Sequence, residues 1–222
     1  MDSLLKLVKV NKNFEKITIL NNISLNVAGG EFVHIAGGNG AGKSTLFQLI
    51  LGFLKVDGGQ MLWENDQDIT KSSTPDRVRN GISYMPQTSC LINTITVEKN
   101  IEYAKESLGE NLLLKNPDID NELAHLFDWQ KFSDRYVYSL SRGERKKLEL
   151  YITILYDAHL YIFDEPVSGL DQTSLEYTYQ IIHKLNKAGK AVIFCDHNLD
   201  ERLLTHVHSH YTLAGGTLKA DE

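Results

Sequence analysis

The chain has 222 residues, 42% of them apolar, and carries 23 lysines and arginines against 29 aspartates and glutamates, a formal charge of −6. That is enough apolar material for one large domain with its own core, while the acidic balance argues against a nucleic-acid-binding surface as the main function, because phosphate neutralisation needs a basic face. The densest apolar stretch, Leu46 to Leu54, is roughly half of the ~20 residues that cross a bilayer, and the amino terminus lacks a charged start followed by an unbroken apolar run. Neither a membrane span nor a secretory signal is predicted.

Taken in chain order, alternating apolar positions from Leu4 to Val10 and near Ile23 to Val27 predict short strands, and "EFVHIAG" reads as a buried strand. It runs into Gly37, Gly38, Asn39, Gly40, Ala41, Gly42, Lys43, Ser44 and Thr45. Glycine, four residues, then Gly-Lys-Ser is the spacing of a phosphate-binding loop, whose glycines let backbone N–H groups turn inward around an anion. A helix is predicted from Ser44 to Phe53, with Leu46, Ile50 and Phe53 on one side. Strand, glycine loop and helix form the context that such a loop requires. "DGG" at Asp57 to Gly59 then signals a hairpin, with "QMLWEN" as the returning strand, and "GISYMPQ" is a further short strand ending at Pro86.

From Val97 to Leu150 the pattern turns helical, in "VEKNIEYAKESL", "IDNELAHLFDW" and "RGERKKLELYITIL", which predicts a helical insert. "HLYIFDEP" and "AVIFC" return as continuous apolar runs, suited to strands covered on both faces, and a helix from about Gln172 to Ala188 joins them as a parallel crossover. Cys90 and Cys195 lie far apart and match no metal spacing, so both are expected to be free thiols in a reducing compartment. His206, His208 and His210 would share a face only on a continuous strand, and the helical look of the segment before them argues against a metal site.

"LYIFDEP" places Asp164 and Glu165 at the carboxyl end of a strand, the edge where open parallel sheets bind ligands. Adjacent side chains on a strand point to opposite faces, so the two carboxylates need different tasks. Beside a phosphate loop, the first can hold Mg²⁺ and the second can polarise an attacking water.

With these residues, "SLSRGERKKLEL" makes the chain resemble the nucleotide-binding subunit of the ATP-binding cassette (ABC) transporter family over nearly its whole length. Leu140, Ser141, Arg142, Gly143 and Glu144 are similar to the family's LSGGQ signature. Gln87 in "YMPQ" matches the glutamine of the Q-loop, Asp171 in "SGLD" the D-loop, His197 in "CDHN" the switch histidine, and Phe14 the aromatic that stacks on adenine. The resemblance implies an α/β P-loop NTPase fold: a mostly parallel sheet core, a small antiparallel β subdomain and an inserted helical subdomain. Residues 1–222 would form a single ATPase domain, with 1–87 and 155–222 as the nucleotide-binding core and 88–154 as the helical, signature-bearing part.

Its implied chemistry is hydrolysis of Mg-ATP. The loop amides and Lys43 would meet the phosphates; Ser44, Gln87 and Asp164 would surround Mg²⁺; Glu165 would be the general base; His197 would donate a hydrogen bond to the γ-phosphate. The signature would act across a dimer interface, Ser141 and the Gly143 amide of one copy capping the γ-phosphate held by Lys43 of the other. A nucleotide-dependent dimer with a second copy or a similar cassette follows, as does a separate membrane permease that docks beside the helical insert and the segment after Gln87. The chain would then sit peripherally on the cytoplasmic face of a membrane. Gly38 stands where the family often has proline, and Arg142 replaces the signature's second glycine, which is tolerable only if the backbone there does not need positive φ; its side chain is expected to point to solvent. A soluble cassette acting on nucleic acid or ribosomes fits less well, because relatives of that kind carry long coiled-coil insertions or two cassettes. A non-hydrolysing interaction module has no support in the residues present.

Overall fold

The computed structural model describes residues 2–109, 112–196 and 205–221. Two sheets form its frame. The smaller is antiparallel, with strands β1 (Ser3–Phe14), β2 (Ile17–Ala28), β4 (Gly58–Trp63) and β5 (Gln67–Asp68) in the order β2-β1-β4-β5. The larger has the order β10-β9-β3-β8-β7-β6, built from β3 (Phe32–Ala36), β6 (Ile82–Met85), β7 (Leu160–Asp164), β8 (Ala191–Cys195), β9 (Ser209–Ala214) and β10 (Thr217–Ala220). All its pairings are parallel except β9 with β10. The helices are α1 (Lys43–Ile50), α2 (Thr74–Arg79), α3 (Val97–Leu108), α4 (Pro117–Leu126), α5 (Arg142–Ile154) and α6 (Gln172–Lys187).

The central strands β3, β7 and β8 are buried on both faces, and their side chains alternate between the two. Leu160, Ile162, Ala191, Ile193 and Cys195 face one apolar cluster with α1 and the antiparallel sheet. Tyr161, Phe163, Val192 and Phe194 face a second cluster with α3, α4, α5 and α6. The sheet's carboxyl edge therefore lies between two packed layers, which fixes the residues that follow each strand.

Helix α1 is anchored at its far end by Arg77 of α2, which is 2% exposed. Its guanidinium donates to the carbonyls of Leu49 and Ile50, both at 2.8 Å, and to that of Ile69 at 2.7 Å. The first two lie in the last turn of α1, where carbonyls lack a full set of helical partners, and the third lies just after β5, so a single buried cation ties the end of α1 to the β5–α2 segment.

Three expectations change. "DGG" makes no hairpin turn: Gly58 pairs with Asn11 of β1, so the segment opens β4, and the chain reverses at Glu64–Asp66 instead. Helix α1 stops short of Phe53 because Gly52 takes φ 77° just beyond its end, and Phe53 stands 61% exposed rather than on the buried side. Glu165 is not on β7; it follows the strand with φ 53°.

Candidate functional site

The site is built on the loop between β3 and α1. Gly37 has no room for a side chain, since a Cβ would lie 2.7 Å from the Leu213 carbonyl, and Gly42 enters α1 with φ 104°, a value open to glycine. No side chain caps α1, so its first amides are left facing the loop. Lys43 is 8% exposed, and its ammonium folds back to donate to the carbonyls of Gly37 at 2.5 Å and Gly38 at 3.2 Å. The loop residues from Gly38 to Thr45, with Ile19, Gln87, Asp164 and Glu165, enclose an open cavity of about 220 Å³. A helix amino end, exposed amides and a lysine together make an anion site.

Across this cavity Ser44 Oγ donates to Asp164 Oδ2 at 3.1 Å, and the Tyr84 hydroxyl donates to the same oxygen at 3.4 Å. Asp164 is 1% exposed; burial pushes its carboxyl above the usual range, the Ser44 hydrogen bond opposes that, and the Glu165 charge adds to it. A bare carboxylate is thus uncomfortable here, and a divalent cation would relieve it. The Ser44 and Asp164 oxygens, already 3.1 Å apart, suit a hard ion of the Mg²⁺ class.

Glu165 parts from Asp164 through its left-handed backbone rather than by strand alternation, and its amide is held by the Cys195 carbonyl at 2.8 Å. Its carboxylate accepts from Gln87 Nε2 at 2.9 Å, which brings the end of β6 to the end of β7. A non-glycine residue at positive φ is a costly conformation that recurs at functional positions.

The signature segment is organised differently. Ser141 caps α5: its hydroxyl accepts from the Glu144 amide at 3.2 Å, and its own amide donates to Glu144 Oε2 at 2.6 Å, a complete capping box. Glu144 also takes Arg135 at 3.2 Å, so its carboxylate is spent within the chain. Arg142 is the first residue of α5 and has no positive φ, which is why a side chain is tolerated there. It is exposed, but its head is not free in solvent: Nη2 donates to Ser168 Oγ at 3.2 Å, and the guanidinium lies against Gly169. Gly143 follows within the same first turn, where the Cβ it lacks would come no nearer than 3.5 Å to the Gly169 carbonyl. Asp171 caps α6 by accepting from the Ser174 amide at 2.9 Å and hydroxyl at 2.7 Å, and these bonds, the hydroxyl's foremost, hold its carboxyl down at about 2.

Phe14 is 44% exposed at the end of β1 with the Lys12 ammonium 5.3 Å from its ring centre, so it is no core aromatic. His197 lies outside the described residues. The three carboxy-terminal histidines go separate ways: His206 packs on His183 at 4.0 Å, His208 Nδ1 accepts from the Phe32 amide at 3.0 Å, and His210 meets His34 edge-on. Among the described residues no three His, Cys, Asp or Glu side chains gather to hold a metal. Cys90 is an exposed free thiol and Cys195 a buried one.

Sequence reasoning missed Tyr84, Ile19 and Lys146. Tyr84 reaches Asp164 only because β6 and β7 are parallel neighbours, which the sequence alone does not specify. Beside the Q-loop a mainly apolar groove of about 730 Å³ runs between α1, β6 and α3, lined by Leu51, Phe53, Ile92 and Tyr103 among others.

A family model described as "ABC transporter" matches residues 20–168. An ABC transporter ATP-binding protein of Rhizobium meliloti (strain 1021) is 32% identical over 194 residues, 87% of this chain and 71% of that protein. LptB of Escherichia coli (strain K12), a lipopolysaccharide export system ATP-binding protein, is 31% identical over 192 residues, 86% of this chain and 79% of LptB. Among solved structures, an ATP-binding cassette described as a dimer in a post-hydrolysis state with ADP and Pi superposes with a TM-score of 0.82 at 23% identity, covering 99% of this chain and 98% of that one. Among the described residues no helix is long and apolar enough to cross a membrane.

Proposed function

The chain belongs to the ABC transporter family as an ATP-binding, ATP-hydrolysing subunit, and from that premise we propose which of its residues hold the nucleotide, cleave it and pass the change on. The carrying observation is the convergence of Lys43, Ser44, Asp164 and the Gln87–Glu165 pair around one cavity at the amino end of α1.

The triphosphate lies on the loop amides, and Lys43 leaves the Gly37 and Gly38 carbonyls for the β- and γ-phosphates. Ser44, Asp164 and the side-chain oxygen of Gln87 would hold Mg²⁺, which neutralises phosphate charge when bound. Glu165 takes a proton from a water whose oxygen bonds to the γ-phosphorus as the bond to the β–γ bridging oxygen breaks; ADP and orthophosphate leave. Phe14, exposed at the end of β1, would offer its face to adenine. His197 would donate to the γ-phosphate.

The signature completes the site from a second copy. Ser141 Oγ accepts within its own helix, so its proton is available to donate outward, and the Gly143 amide lies in the same first turn. Residues 88–154 form the helical part that moves with this closure, and the groove beside Gln87 receives a helix of a membrane permease, which places the chain peripherally on the cytoplasmic face. Its relatives are named as transporter ATP-binding proteins, consistent with that placement.

Phosphate release by the purified chain tests the reading. Turnover is expected with Mg-ATP and lost with a chelator or in Asp164→Asn; equal release from Asp164→Asn overturns the assignment of the metal ligands.

A further inference from the structure

A second cavity, of about 420 Å³, lies between the amino end of α5 and the end of β7. It meets the phosphate-loop cavity at Gln87 and Glu165, which line both. Three cations, Arg142, Arg145 and Lys146, share its wall with two carboxylates, Glu149 and Glu165.

The cations are committed to different degrees. Arg145 donates to the carbonyls of Leu140 at 3.1 Å and Tyr138 at 2.8 Å, so it is a fixed charge. Arg142 uses one nitrogen on Ser168 and keeps its other donors. Lys146 is 7% exposed, and the one carboxylate paired with it, Glu149, stands at 3.9 Å, beyond hydrogen-bonding reach. Among the described residues no acceptor lies within bonding range of Lys146 Nζ, so its three donors are open to an occupant of the cavity that it lines. Burial lowers its affinity for a proton and the Arg142 charge adds to that, opposed only in part by the Glu149, Asp164 and Glu165 charges. The capping box takes the Ser141 and Glu144 amides, and the cations on the cavity wall are side chains, Arg142, Arg145 and Lys146.

We propose that this cavity binds orthophosphate, with Lys146 as its principal ligand and Arg142 as the second, and that it receives the phosphate released beside Glu165. Monohydrogen phosphate matches the mixed wall: its charged oxygens accept from Lys146 and Arg142, and its one O–H donates to a carboxylate, which sulfate cannot do. The source of the phosphate rests on the ATPase reading above; binding itself does not.

The test adds inorganic phosphate to the full chain without nucleotide and follows ³¹P line broadening. Lys43→Ala removes the phosphate-loop contribution, and phosphate binding is expected to persist in that variant. Adding Lys146→Gln should weaken it by about tenfold, the loss of one charge-assisted hydrogen bond. Sulfate should compete poorly. Loss of all binding in Lys43→Ala, unchanged binding with Lys146→Gln, or equal displacement by sulfate overturns the proposal. Should Lys146→Gln fail to fold, Arg142→Gln, an exposed change, carries the test: several-fold weakening is expected, and an unchanged Kd contradicts it. A chain that binds phosphate this way yet hydrolyses no ATP would refute the ATPase reading and leave the site standing.

Discussion

The phosphate loop and the signature segment each open a helix, yet they treat its first turn in opposite ways. Helix α1 has a glycine at its cap and no side chain on its amides, with Lys43 folded over the loop's own carbonyls. Helix α5 has Ser141 and Glu144 locked in a reciprocal box. An uncapped turn leaves its amides to an anion; a capped one already has part of its donors taken and has less to gain. The difference sharpens the proposal: a single copy would hold its nucleotide at α1, while Ser141 would present its hydroxyl to something brought to it.

The sharpest way to break this comparison is at Glu165, which belongs to neither helix. Glu165→Gln should cut turnover by about 10²–10⁴-fold while leaving ATP affinity within a few-fold, measured as phosphate release beside nucleotide titration. Lys43→Ala comes next, and should weaken ATP binding to a single copy roughly 10- to 100-fold, since a charge-assisted hydrogen bond contributes about 1.5–3 kcal/mol. Ser141→Ala, in the same titration on dilute protein, should leave that affinity unmoved; a matching loss would erase the contrast. Its effect belongs to stability instead, a loss of about 0.5–2 kcal/mol in denaturant unfolding from removal of the cap.

The smallest effect follows from Asp164. Its folded carboxyl titrates above the unfolded one, chiefly through burial. Between the two values the native state binds more protons, so the nucleotide-free protein loses stability as pH rises from the unfolded value through the folded one. Asp164→Asn should therefore raise Tm at pH 8, with the gain fading as pH falls through that window and vanishing where both states are protonated. A constant gain at every pH would mean that titration is not its cause.

Most of the phosphate-loop side was legible because its signals are local: spacing marks the loop, short apolar runs mark β3, β7 and β8, and the next helix follows from apolar recurrence. Gly52 was a readable stop for α1, and reading it would have kept Phe53 off the buried face. The rest depended on distance in sequence. Arg77 ties down the end of a helix 27 residues upstream of it, Tyr84 finds Asp164 through strand order, and the "DGG" turn signal yields to pairing with β1. Glu165 illustrates a third kind of miss, since its positive φ has no marker in a run that otherwise reads as strand. Lys146 has no marker of its own in "RGERKK"; its burial depends on the packing of α5, which lies against β6.

The most direct test of the two-copy account is the mass of Glu165→Gln in solution with Mg-ATP, by light scattering across micromolar concentrations. A dimer that forms with Mg-ATP, dissociates without nucleotide and is weakened by Ser141→Ala is the predicted result. A chain that binds Mg-ATP and stays monomeric throughout would contradict it.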